Sequence, residues 1–144
     1  MTKPPVLSTT IDEDDPTFAT TREQVLDWLD DHGRAAGVVF AQQGFAMIAS
    51  VEGRSVGGLI GSTNLGWLHV SLLAVAPEAR RGGVGRMLLN AAESLARERG
   101  CHGAWLDTFE HQGPEYYPRL GWEKFGELPD FPKGSCRRFY RKSL

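Results

Sequence analysis

Hydrophobic and polar positions change their period several times along this chain, and each change marks an element. Val25, Leu26, Trp28 and Leu29 recur at helical spacing. Thr20 and Thr21 stand three residues before Glu23 and Gln24, two overlapping capping-box registers, so a helix is predicted to begin there and end near Gly33. Phe45–Val51 alternates as a strand, Glu52-Gly53 turns, and Ser55–Ser62 returns. The glycines at 57, 58 and 61 either weaken that second strand or leave room for a neighbour. In Trp67–Val75, alternation puts Trp67, His69, Ser71, Leu73 and Val75 on one face and Leu68, Val70, Leu72 and Ala74 on the other. Both faces are largely apolar, which predicts a central strand.

A long amphipathic pattern follows, with Val84, Met87, Leu88, Ala91, Ala92 and Leu95 on one side and Gly100 at its end. Ala104–Phe109 reads as a strand again, and strand-helix-strand implies a parallel crossover. Gly113-Pro114 opens a short helical turn that stops at Gly121, Trp122–Phe125 extends, and Arg137–Arg141 forms a final, charged edge strand. Val6–Ile11 is a further candidate edge strand. The sum is an α/β (α+β) mixed sheet of six or seven strands with about three to four helices, one domain spanning residues 1–144.

Composition narrows the function classes. The 144 residues are 41% hydrophobic and 24% charged, ordinary for a globular protein. A net charge of −2 supplies no global field for nucleic acid or an anionic membrane. No stretch has signal-peptide or membrane-span character, so a cytoplasmic location is expected. Cys101 and Cys136 have neither metal-ligand nor redox spacing, and His102 and His111 lack ligand spacing; no metal is expected. Asp12–Asp15 reads as a solvated loop, or as a lip for a cationic substrate.

Chemistry concentrates where the central strand meets the long helix. Gly82, Gly83 and Gly85 are flanked by Arg80, Arg81 and Arg86 around the helix start. Backbone N–H groups converging on a helix N-terminus suit an anion, above all a phosphate. A nucleotide-triphosphate loop would need Gly-Lys-Ser/Thr, and Gly85-Arg86-Met87 stands here instead. A dinucleotide fingerprint fails because Arg86, Met87 and Leu88 follow Gly85. A purely structural tight turn stays open.

Arg80-Arg81-Gly82-Gly83-Val84-Gly85 resembles the R/Q-x-x-G-x-G/A signature of the GNAT superfamily, the acetyl-CoA-dependent N-acetyltransferases, in a small single-domain bacterial-type form. The downstream Tyr117-Pro118-Arg119-Leu120-Gly121-Trp122 is similar to the family's Y-x-x-x-G-(F/W/Y) segment. The likeness covers about residues 72–122. It implies a mostly antiparallel sheet whose central parallel pair splays. It implies that the N–H groups from Arg81 through Gly82, Gly83, Val84 and Gly85 to Arg86 hold the coenzyme A pyrophosphate, with Arg80 beside them. It also implies that Leu73, Ala74 and Val75 pair with the pantetheine arm, and that a bulge in their strand aims an N–H at the thioester carbonyl. Gln112 is the nearest match to an asparagine that contacts the coenzyme in relatives.

Amine acetylation needs a neutral amine, although a lysine-like ammonium titrates near about 10.4, and it needs an oxyanion donor and a proton or hydrogen bond for the leaving thiolate. The resemblance makes Tyr117 the candidate acid. A phenol near about 10 faces a thiolate near about 8.5, so full transfer runs uphill by about 2 kcal/mol and a charge-assisted bond is the alternative. Asp107, a mid-strand carboxylate, is the candidate base, or equally a structural aspartate; Glu78, Glu110, His111 and His69 are its rivals. Tyr116 reads as packing. The expected activity is acetyl transfer to a primary amine of a small-molecule or peptide acceptor, with homodimerisation open. An acyl-CoA sensor without turnover, or a longer acyl donor, are the competing readings.

Overall fold

A computed structural model describes residues 3–113 and 115–144. Pro114, expected to open the short helix with Gly113, lies outside the described residues. The chain divides into two compact units, one reaching Phe40 and the other running Ala41–Leu144.

The first unit is a single helix, α1 (Pro16–Ala35), with irregular chain before it. It starts a full turn earlier than the threonine registers predict. Asp15, the last of the acidic run, is the N-cap, its carboxylate accepting from the Thr17 N–H, with Pro16 at the first helical position. Thr20 and Thr21 lie inside the helix and donate back to the Pro16 and Thr17 carbonyls at 3.0 and 2.7 Å. A capping proline and aspartate upstream outcompete them. Val6–Ile11 is not a strand; a strand needs a neighbouring ladder, and this segment is exposed and unpaired.

The second unit is a six-stranded sheet of β1 (Gln43–Val51), β2 (Arg54–Asn64), β3 (Trp67–Val75), β4 (Gly103–Phe109), β5 (Glu123–Pro129) and β6 (Cys136–Ser143). Their spatial order is β1-β2-β3-β4-β6-β5. The first three are antiparallel neighbours, joined through Glu52-Gly53 and Leu65-Gly66, both with positive φ at both residues. Such turns match the right-handed twist of a hairpin. β3 and β4 are the parallel pair, bridged by α2 (Val84–Glu98). The four-residue α3 (Tyr116–Arg119) precedes β5.

The core lies between α2 and the sheet, where Leu59, Leu68, Leu89 and Leu106 are fully buried. The helix rests on its Leu88, Leu89, Ala92 and Ala96 face; Met87 is 54% exposed and Ala91 also faces solvent, so the buried stripe is rotated from the predicted one. The buried stripe includes Glu93, only 3% exposed, whose carboxylate takes the Lys142 ammonium at 2.7 Å. A charge hidden behind the helix is invisible to a hydrophobic period. Gly57 leaves room for a neighbour: a Cβ there would sit 2.8 Å from the Val84 side chain.

Two further expectations change. The Arg137–Arg141 strand is interior, between β4 and β5, not an edge. Its cations are matched one by one: Arg137 by Asp107, Arg138 by Glu127, Arg141 by Glu123 and Lys142 by Glu93. And β3 does not alternate throughout. Gly61 pairs with Val70 and Ile60 with Leu72, which leaves Ser71 as an extra residue, its hydroxyl on the Ile60 carbonyl at 3.0 Å. Leu68 and Val70 are buried before this bulge, Leu73 and Val75 are half-buried after it, and Ser71 and Leu72 are both exposed. Leu73 and Val75 therefore do not share the face of His69.

Candidate active site

The bulge at Ser71 stands where the parallel pair parts. β3 and β4 pair from Trp67 with Gly103 to Val70 with Leu106, and there the pairing ends. β4 continues against β6 as far as Phe109 with Arg137, so it is pulled to that side. Residues 71–75 then border a slot instead of a strand.

Two adjoining cavities, of about 670 and 800 Å³, share Leu73, Ala74, Val75, Arg80, Gln112 and Tyr117. The first runs toward α2, along Arg81, Gly83, Val84, Gly85 and Arg86, and adds Tyr116 and Leu120. The second opens along Ser71 and Leu72 to Thr108 and His111. Of the residues expected around a coenzyme, the cavities bring together all except Gly82. Gly82 belongs to the turn itself, where a Cβ would lie 3.3 Å from the Ala79 carbonyl.

The start of α2 is built without a competitor for its N–H groups. Gly83 is the N-cap at φ 82°, no side chain caps it, and the first turn carries no acid. Arg81, two residues earlier, is also left-handed at φ 67°, uncommon for a residue with a Cβ. The first intrahelical bond goes from Met87 N–H to the Gly83 carbonyl, which leaves the preceding amides free of helical partners. Arg80 is anchored by its Nε on the Val75 carbonyl at 3.3 Å, tying the turn to the end of β3. Gly85 is buried, and a Cβ there would meet the Tyr116 hydroxyl at 2.6 Å. Tyr116, read from the sequence as packing, is therefore a wall of the first cavity. Its neighbour Tyr117 carried the recognisable spacing, and adjacent helical residues point to different sides.

Tyr117 sits where both cavities meet. Its ring packs edge-on against Trp122 and beside Tyr140, at 6.3 and 5.7 Å between centroids. Burial, reinforced by Tyr116, Asp107 and Tyr140, pushes its pKa up to about 12, so the phenol keeps its proton. Gln112 points its oxygen inward at the loop, accepting from the Phe109 N–H at 2.9 Å.

Asp107 is on the opposite side of β4 from the buried Leu106 and Thr108, lines neither cavity, and is bonded to the Arg137 guanidinium. Its rivals are occupied as well. Glu78 pairs with Arg54 at 3.5 Å and Glu110 accepts from the Ser135 hydroxyl at 3.1 Å. His69 stacks on Trp105 at 3.8 Å with its Nε2 buried and unpartnered, and burial lowers its pKa despite the charge of Asp107. Of these rivals, His111 alone borders either cavity.

Known proteins match this arrangement. Residues 8–122 fit the acetyltransferase (GNAT) family. Blasticidin-S acetyltransferase of Streptomyces morookaense is 40% identical over 94 residues, 65% of this chain and 69% of that one. An acetyltransferase of Agrobacterium fabrum is 48% identical over 87 residues, 60% of this chain and 63% of that one, so the match spans less than two thirds of its length. The crystal structure of an acetyltransferase from Bacillus cereus superposes with a TM-score of 0.80 at 27% identity, covering 94% of this chain and 98% of that one. The chain belongs to the GNAT family of acetyltransferases.

Proposed function

We propose that residues 1–144 act as one cytoplasmic domain that moves an acetyl group from acetyl-CoA to a primary amine by direct attack in a ternary complex. One observation carries this reading: the parting of β3 from β4 after Val70, with Tyr117 in the opening and the free helix start beside it. The diphosphate sits on the amides from Arg81 to Arg86, where the helix dipole and Arg81 and Arg86 favour negative charge. The amide-bearing pantetheine arm lies along Leu73, Ala74 and Val75 as an added strand. Gln112 borders the arm. The carbonyl of the thioester faces a β3 N–H released by the bulge, a donor for the oxyanion.

The neutral amine nitrogen attacks the thioester carbon, the C–N bond forms, and the oxyanion collapses with cleavage of C–S. The sulfur leaves as thiolate toward Tyr117. With the phenol at about 12, full transfer to a thiolate near about 8.5 costs about 5 kcal/mol, so Tyr117 acts chiefly through a charge-assisted hydrogen bond. The surplus proton of the amine leaves through water to solvent. Products are the amide and coenzyme A.

The relative from Streptomyces is named for an antibiotic acceptor, which favours a small molecule over a peptide here. Calorimetry with coenzyme A and thiol release with a broad amine panel test the reading together. Micromolar binding with thiol release from some amine supports it. No heat at millimolar coenzyme A overturns it, and binding without release from any amine makes the protein a sensor.

A further inference from the structure

A third cavity, of about 310 Å³, adjoins the slot through His111 and is lined also by Phe109, Phe131 and Pro132. Its walls come from two separate parts of the chain. Phe109 ends β4 and His111 lies in the 3-10 turn that follows; Phe131 and Pro132 belong to the loop between β5 and β6.

The rings are aligned. Phe109 is nearly parallel to His111, at 13° and 5.7 Å, and to Phe131, at 14° and 5.6 Å. The alignment is held from both sides. The Arg137 guanidinium lies 5.1 Å from the Phe109 ring and 5.0 Å from the Phe131 ring, and Asp107 fixes that guanidinium. The loop is tied down by Ser135 on Glu110, by the Gly134 N–H on the Asp130 carboxylate, and by the Asp130 N–H on the Ser135 carbonyl. Phe131 is nonetheless 41% exposed. An aromatic side chain held parallel to its neighbours and open to water offers a π-face to a ligand. The volume is at the lower end of the range of roughly 300–1,000 Å³ for small-molecule sites and fits a ring of modest size.

We propose that this cleft is the acceptor subsite, and that it takes an amine carrying a flat aromatic or heteroaromatic ring. The inference rests on the acetyl-transfer reading and names its substrate class. His111 borders both spaces, so a ring seated on the exposed Phe131 within this cleft directs an attached aminoalkyl arm past His111 toward the slot beside Leu73 and Tyr117. Asp107 lines neither coenzyme cavity, but it positions Arg137, and Arg137 in turn orders the rings.

The test measures binding apart from turnover. 2-Phenylethylamine and 2-cyclohexylethylamine are titrated into the coenzyme A complex by calorimetry, with wild type, Phe131→Ala and Phe131→Leu. The expected result is about tenfold tighter binding of the flat amine to wild type and loss of that preference in both variants. Phe131→Leu keeps apolar bulk, so it separates a lost ring face from a disturbed loop. Equal affinities for the two amines in wild type, or a preference that survives Phe131→Leu, overturn the proposal. Thiol release from acetyl-CoA, followed in parallel, reports on the acetyl-transfer reading alone: no release with any amine sinks that reading, while ring-selective binding still reports on the cleft.

Discussion

Single residues decide whether the opening is a catalytic site. In the proposed reaction Tyr117 donates to the leaving sulfur, so Tyr117→Phe is expected to lower kcat by about 100-fold while the affinity for coenzyme A stays within twofold, as pre-steady-state and calorimetric measurements would show. Its raised pKa has two consequences. In the reaction, kcat/KM should rise with pH as the amine loses its proton and show no fall from ionisation of Tyr117 below about pH 11. In folding, a phenol with a folded value near about 12 and an unfolded one near about 10 contributes stability that is fully present below pH 10. That contribution, about 2–3 kcal/mol, is lost as pH rises through 12. Denaturant midpoints between pH 9 and 12 measure it, and Tyr117→Phe should flatten the decline. Gly85 gives a different test. Gly85→Ala is expected to gain helix propensity yet push the Tyr116 hydroxyl into the cavity proposed for the coenzyme, weakening coenzyme A about tenfold. Adding Tyr116→Phe, which removes the colliding oxygen, should restore most of the affinity.

The elements set the geometry these residues use. The extra residue of β3 turns Leu73 and Val75 toward the helix without flipping the strand that precedes it. Deleting Ser71 would give a regular strand that still buries Leu68, Val70, Leu73 and Val75. The expected outcome is a folded protein, within about 1 kcal/mol of wild type by denaturation, that no longer acetylates. The lock between α2 and β6 is stability of another kind. Lys142 bonds both the buried Glu93 carboxylate and the Leu120 carbonyl at 3.0 Å. Lys142→Met leaves the carboxylate, among the described residues, with Arg97 alone at 4.0 Å, and a loss of about 3 kcal/mol is expected. Glu93→Leu with Lys142→Met should recover much of it, a coupling that a double-mutant cycle reads directly.

For the whole molecule, sequence legibility followed how local each cause is. The boundaries of β3, the helix start after the glycines and the turn at Glu52-Gly53 were readable, because period, glycine and dipeptide signals act within a few residues. The lining of the cavity proposed for the coenzyme was readable for the same reason: most of its wall is one continuous stretch of chain from Leu73 to Arg86, with Tyr117 at a recognisable spacing. Thr20 and Thr21 misled because two good caps stood within one turn of each other. The cleft proposed for the acceptor was not readable, since its rings meet across more than 20 residues of sequence.

What the order of residues settled by itself was a strand, a glycine turn with free amides and a helix, the local frame on which the diphosphate site is proposed; short-range sterics and backbone hydrogen bonding leave few alternatives there. Only the folded sheet decided that β4 follows β6 and abandons β3 at Val70, that Asp107 is given to Arg137, and that Phe109, His111 and Phe131 line one cleft. Those outcomes depend on which distant strands compete for the same ladder and the same charges, and that competition exists only once the chain has closed on itself.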